Sequence, residues 1–144
     1  MSKSRHTARE RAIQLLFQLD YNESDELEIT FDEFWGSFED KPDVRPFADS
    51  LIHGVMEHRN DLDKEIQRYA KNWDLDRMGG VDRNVLRLAI YEIKHRKDIP
   101  PVVSVNEAIE LARELSSDEA SKFVNGILDR AIKDTDRPLR TPTK

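Results

Sequence analysis

Between Val85 and Ala131 the chain spells out a helix, a stop and two further helix starts, which leaves little room for any other kind of fold. Val85, Leu86, Leu88, Ala89, Ile90 and Ile93 form an apolar face too wide for a surface helix, which predicts a central one. Asp98-Ile99-Pro100-Pro101 stops it, since a proline disfavours helix at the residue before it. Ser104-Val105-Asn106-Glu107 and Ser116-Ser117-Asp118-Glu119 read as capping boxes, where a hydroxyl and a carboxylate satisfy the first free amides of a helix. The helices they open carry Ala108, Ile109, Ala112 and Leu115, then Ala120, Val124, Ile127, Leu128 and Ala131. Inside the last one sits Lys122-Phe123-Val124-Asn125-Gly126, and adjacent Asn and Gly cost a helix about 1 kcal/mol or more. Packing economy does not explain that pair.

The same periodicity runs upstream. Thr7-Ala8-Arg9-Glu10 reads as a capping box for a first helix that turns Ala8, Ala12, Leu15, Leu16 and Leu19 inward. Asn22 to Glu28 reads as an acidic loop, and Thr30-Phe31-Asp32-Glu33 as the start of a short aromatic helix with Phe34, Trp35 and Phe38. Asp40-Lys41-Pro42-Asp43 breaks that helix. The next begins at about Arg45 or Pro46, where a missing N–H is harmless, and carries Phe47, Leu51, Val55 and Met56. Asn60 caps another, with Leu62, Ile66, Tyr69, Ala70 and Trp73 as its stripe, and Gly79-Gly80 marks a turn or a close helix contact before Asp82. No segment sustains the period of two that a strand requires. The expectation is an all-α, compact bundle of six or seven helices. It forms one domain over residues 1–144, with a basic N-terminal arm over about residues 1–6 and a frayed tail over about 136–144.

Composition narrows the chemistry. With 144 residues the chain can bury a real core, and with no cysteine it can have no disulfide, thiolate metal site or cysteine nucleophile. No apolar stretch approaches the roughly 18 residues of a membrane span, and the N-terminus lacks the apolar run of a secretory signal, so the expected location is the cytoplasm. His6, His53, His58 and His95 form no His-x-x-x-His pair, and Gly79-Gly80 lacks the further residues of a phosphate cradle. No catalytic residue, metal site or cofactor is expected. The net charge is −6, yet residues 1–11 carry Lys3, Arg5, Arg9 and Arg11 against Glu10 alone. A basic start on an acidic body suits contact with phosphate at one place, although from charge alone a solvated helix end with no partner is the first reading.

Two segments read as binding surfaces. On a wheel of about 100° per residue with Lys122 at zero, Phe123 falls near 100° while the apolar stripe centres near 170°. A border aromatic beside a lysine and the gap at Gly126 can stack a base. It can also be a core-edge residue, with Gly126 admitting another helix. In the first helix Phe17 lies roughly 140° from Ala12, flanked by Arg9, Arg11, Gln14 and Gln18. That set makes a platform for single-stranded RNA, or a helix buried on two sides.

Along these residues the chain resembles the NusB family of bacterial transcription antitermination factors. The similar segments are Thr7-Ala8-Arg9-Glu10 with Ala12 and Gln14, then Asn72-Trp73, Val81-Asp82-Arg83-Asn84-Val85-Leu86-Arg87 and Ala89-Ile90-Tyr91-Glu92. They continue through Val105-Asn106-Glu107-Ala108-Ile109-Glu110-Leu111-Ala112 to Lys122-Phe123-Val124-Asn125-Gly126-Ile127-Leu128-Asp129, while residues 22–50 match poorly. The resemblance implies an all-helical protein that binds the boxA element of ribosomal RNA leaders together with the ribosomal protein NusE, and joins RNA polymerase to suppress termination. By position it implies RNA contacts from Lys3, Arg5, Arg9, Phe17, Lys122, Phe123 and Asn125. It implies a NusE surface from Asp82, Arg83, Arg87, Tyr91 and Glu119. His6 and Thr7 stand where the family often has Arg. The rival readings are a stand-alone relative of the RNA-binding domain of a ribosomal RNA methyltransferase, and a helical scaffold that binds only protein. A homodimer through the RNA face is a further expectation, since exposed Phe17 suits self-association.

Overall fold

A computed structural model describes residues 3–21, 27–70 and 78–142. Among them are seven helices: α1 (Lys3–Tyr21), α2 (Leu27–Trp35), α3 (Val44–Glu57), α4 (Arg59–Ala70), α5 (Gly80–His95), α6 (Pro101–Leu115) and α7 (Asp118–Lys133). Trp73, expected on the stripe of α4, and most of the acidic loop, residues 22–26, lie outside the described residues.

The bundle is built around α5. It packs against α1, α3, α4, α6 and α7, and every residue from Asn84 to Ile93 is buried, as its wide apolar face requires. α6 packs against α7, and α1 lies against α3. Gly54 of α3 sits where the Tyr91 ring of α5 crosses, and a Cβ there would overlap that ring. The helices meet closely because glycine leaves the space.

Several helix ends differ from the sequence expectation. α1 begins at Lys3, so Thr7 lies inside it rather than at its cap, and Lys3–His6 is helix rather than an extended arm. Nothing in Lys3–His6 breaks a helix, and the His6 ring bonds to α6. α2 begins at Leu27, ahead of Thr30. α6 begins at Pro101, not Ser104, because a proline at the first helical position is already set for helix. The Ser104 hydroxyl instead donates to Glu92 Oε1 at 2.7 Å. At α7 the cap is Ser117 rather than Ser116, its hydroxyl accepting from the Ala120 amide at 3.0 Å.

The tail is docked, not frayed. The Arg137 guanidinium donates to the carbonyls of Glu92, Ile93, Lys97 and Ile99, and the Val102 amide donates to the Leu139 carbonyl at 2.9 Å. The last carbonyls of a helix have no partner within it, and Arg137 supplies donors for those of α5.

Gly54→Ala is expected to destabilise the chain by about 1–3 kcal/mol through overpacking, even though alanine favours helix. In a Tyr91→Ala background the same change should be neutral or stabilising. Urea unfolding of the four chains measures both, and an unchanged midpoint for Gly54→Ala alone would show that Tyr91 moves aside without cost.

Candidate nucleic-acid interface

Two hollows open on the side of the bundle where α1 and α7 approach the start of α5. One, about 450 Å³, is lined by Ile13, Gln14, Phe17, Gln18, Phe34, Phe38, Val81 and Leu115. The other, about 590 Å³, is lined by Met78, Gly79, Asp82, Ser117, Glu119, Ala120, Lys122 and Phe123. Val81 and Leu115 line the first and their chain neighbours Asp82 and Ser117 the second, so the hollows lie side by side. Each has the volume of a small-ligand site and an aromatic ring in its wall.

The ring positions follow from helix geometry. Phe17 is 37% exposed because Ile13 and Leu16 already fill the inward faces of α1 around it. Phe123 is half-buried, its inner edge packed on the core. Lys122 and Asn125 on the same helix are exposed. Among the described residues nothing lies within 4 Å of a Cβ built at Gly126, so no neighbouring helix needs a glycine there. The packing explanation for Asn125-Gly126 is thereby removed, and an exposed notch remains beside Phe123.

Lys3 and Arg5 are exposed but do not join the hollows. They sit at the far end of α1, about 20 Å from Phe17 at the rise of a helix. Arg5 instead lies over the Phe47 ring, 4.5 Å from its centroid.

Arg9 corrects the expectation most sharply. It is 2% exposed and points into the bundle. Its Nε and Nη2 donate to the two oxygens of Glu92 at 2.9 and 3.0 Å, and Nη1 donates to Glu107 at 3.3 Å. A guanidinium forked onto a buried carboxylate cannot also reach a phosphate outside. Its role is to neutralise Glu92 of α5 and to tie α1 to α5 and α6. The His6 ring completes the cluster, bonded to Glu107 and Glu114. Burial works against the charged ring, but the hydrogen bonds to Glu107 and Glu114 outweigh it and raise the His6 pKa above its ordinary 6.5.

Two residues assigned to a protein partner also turn inward. Arg87 is 3% exposed, pairing with Asp63 at 2.6 Å and Asp20 at 2.9 Å. It also donates to the Asn84 side-chain oxygen at 3.1 Å. Tyr91 is buried above Gly54. Both belong to the ten-residue buried stretch of α5, so neither offers a surface to another molecule. Glu119 is exposed, and Arg83 is half-buried, donating to the Met78 carbonyl at 3.2 Å. Asp82 stands in the wall of the Phe123 hollow with Oδ1 buried and without a hydrogen-bond partner. Burial raises its pKa, with a hydrogen bond from Ser116 acting the other way.

Sequence reasoning missed the buried polar network because its partners lie on different helices, Arg9 standing 83 and 98 residues from Glu92 and Glu107. A signal was present. Arg87 and Glu92 fall within the widest apolar face of the chain, and charges placed there need internal partners. It also missed the approach of His58 to His95, whose rings stack at 3.9 Å between centroids. Parallel stacked rings do not aim two nitrogens at one metal ion. His6, Glu107 and Glu110 bring ligand atoms within 4.8 Å of one another. Both His6 nitrogens are already engaged by carboxylates of α6. Among the described residues no helix is long and apolar enough to cross a membrane.

A family model described as the NusB family matches residues 6–133. The transcription antitermination protein NusB of Myxococcus xanthus is 45% identical over 139 residues, covering 94% of this chain and 99% of that protein. The protein of the same name from Bacillus subtilis is 46% identical over 133 residues, covering 92% and 98%. Among solved structures, NusB of T. maritima superposes with a TM-score of 0.81 at 37% identity, covering 95% of this chain and 96% of that one. A complex of the antitermination factors NusB and NusE with double-stranded RNA contains a chain with a TM-score of 0.80 at 28% identity, covering 94% and 100%.

The network sets the expectation for Arg9→Ala. Removing one partner of a buried ion pair strands the other charge, so the change should destabilise by about 3–5 kcal/mol in urea unfolding. A loss below about 1 kcal/mol together with weakened RNA binding would instead return Arg9 to the phosphate-contacting set.

Proposed function

The chain belongs to the NusB family, and on that premise we propose that it is a non-catalytic, RNA-binding transcription antitermination factor. It binds the boxA element of ribosomal RNA leader transcripts together with NusE and promotes antitermination by RNA polymerase in the cytoplasm. The observation that carries this reading is the near full-length likeness to the chain found in the NusB–NusE complex with double-stranded RNA. The adjoining hollows around Phe17 and Phe123 support it, and so does the notch at Gly126 that internal packing does not use.

The mechanism is assembly by binding. Lys122, Lys3 and Arg5 meet phosphates, the last two at a separate point along the strand, so the RNA runs the length of α1. Phe17 and Phe123 stack unpaired bases, and the Asn125 amide offers a donor and an acceptor to a base edge. NusE takes Glu119 with the exposed parts of Asp82 and Arg83. Arg87 and Tyr91 act from behind that surface by holding α5 in place. A chain of net charge −6 presents a complementary field to a basic partner, which then adds positive charge to the RNA site. In the absence of RNA, the apolar groove beside exposed Phe17 favours a homodimer through the same face.

A gel-shift titration with single-stranded boxA RNA, with and without NusE, tests the reading, with a duplex of the same sequence as a second arm. No RNA-dependent shift in any lane at low salt overturns it. Phe123→Ala should lose about 1–3 kcal/mol of RNA binding while remaining folded, as expected for a lost stacking platform. If that variant unfolds and its folded fraction binds normally, Phe123 is a core residue only. Gly126→Ala gives the opposite pairing of effects. It should raise stability by about 1 kcal/mol, the helix-propensity gain, while weakening the RNA complex. Equal affinity in the stabilised variant would remove the notch from the interface.

A further inference from the structure

Both ring nitrogens of His6 face carboxylates. Nδ1 lies 2.6 Å from Glu107 Oε2, and Nε2 lies 3.1 Å from Glu114 Oε1. A neutral imidazole has one N–H and one lone pair, so between two carboxylates it sets a lone pair against an anionic oxygen. Only the imidazolium donates at both ends. The charge balance agrees. Glu92 and Glu107 are 1% and 3% exposed, and Arg9 alone among the described buried bases touches them. Two buried carboxylates need a second positive charge, and His6 is placed to carry it.

The groups that act on His6 come from two elements. From α6 they are Glu107, Glu110 and Glu114, all favouring the proton. On α1, Lys3 and Arg9 stand three residues to either side and disfavour it, while Glu10 stands four residues on and favours it. His6 occupies the same first turns of α1 as Lys3 and Arg5, and its two bonds fasten those turns to α6.

We propose that His6 is a titratable positioning residue of the RNA-binding edge, its imidazolium clamping the start of α1 to Glu107 and Glu114 and so fixing where Lys3 and Arg5 present their charges. The role rests on the RNA reading above; the clamp itself does not. Deprotonation turns one of the two contacts repulsive and leaves Glu107 with Arg9 as its remaining charged partner, so the first turns of α1 loosen. The direction follows from the raised His6 pKa. The clamp is complete below the ordinary value of 6.5 and is lost as pH rises through the higher native value. A permanently charged arginine at this position would lack that dependence, which makes His6→Arg the informative variant.

The experiment uses the full chain as wild type, His6→Arg and His6→Gln at constant ionic strength, from about pH 6 to about pH 8.5. NMR titration of the His6 ring and urea unfolding read the clamp without RNA, and fluorescence anisotropy with single-stranded boxA RNA reads the positioning. The His6 ring should titrate above its ordinary value, with wild-type stability falling through the same range. RNA affinity should fall on the order of fivefold over it. His6→Arg should bind tightly at every pH, and His6→Gln at the weak, high-pH level throughout. Equal pH dependence in wild type and His6→Arg overturns the proposal, as does a His6 ring that stays neutral down to pH 6.5. Stability that follows the titration while RNA affinity does not overturns the positioning role. A wild type that binds no boxA RNA at any pH, with the ring titrating as expected, overturns the RNA reading on which that role stands.

Discussion

The structure depends on what a helix surrounded on all sides does with its charges. Five helices pack on α5, and its stretch from Asn84 to Ile93 has no solvated face. An isolated charge in such a place costs several kcal/mol, so each polar group on α5 must find its partner within the bundle. Glu92 is met by Arg9 from α1 and Ser104 from α6. Arg87 is met by Asp20 from α1 and Asp63 from α4, with Asn84 bridging to Asp20 at 2.8 Å. The two clusters therefore brace α5 at both ends, and each brace draws on α1. One helix is held at its first turns by Arg9 and His6 and at its last by Asp20.

This bracing decides which residues remain available outside. Arg9, Arg87 and Tyr91 are types that favour binding surfaces, yet here they hold α5 in register. Of the residues expected at a binding surface, Lys3, Arg5, Phe17, Glu119, Lys122 and Asn125 stay exposed, and Gly126 has an open side. Parts of both aromatic hollows are built from the braced helices α1 and α5, through Ile13, Phe17, Val81 and Asp82. The basic start of α1 lies apart from the hollows, about 20 Å along the helix from Phe17.

Most of the architecture was legible in the chain. The wide apolar face of Val85–Ile93 foretold a central helix, and the Asp98–Pro101 stop and the stripes of Ala108–Leu115 and Ala120–Ala131 foretold the pair beside it. Helix ends were read less well, because a capping box is a local signal and other constraints override it. Ser104 gave up its cap to Pro101 and turned its hydroxyl to Glu92, and Thr7 was passed over as α1 continued back to Lys3. The docked tail was missed because its anchor, Arg137, acts on carbonyls about 40 residues earlier. At the candidate site the border positions of Phe17 and Phe123 could be placed from the helical period. The burial of Arg9 could not, since residue type pointed outward.

By itself, then, the sequence determined the helical class, the order of its elements and the anomaly at Asn125-Gly126. Hydrophobic periodicity and turn chemistry act over a few residues and are written directly in the chain. Tertiary structure alone decided which charges were buried in internal pairs and which stayed exposed. That choice depends on pairings between α1 and residues 83 to 101 positions away, formed only when the helices pack. It also settled the anomaly. A glycine with open space beside it is not there for packing, and only the assembled bundle could reveal that the space was open.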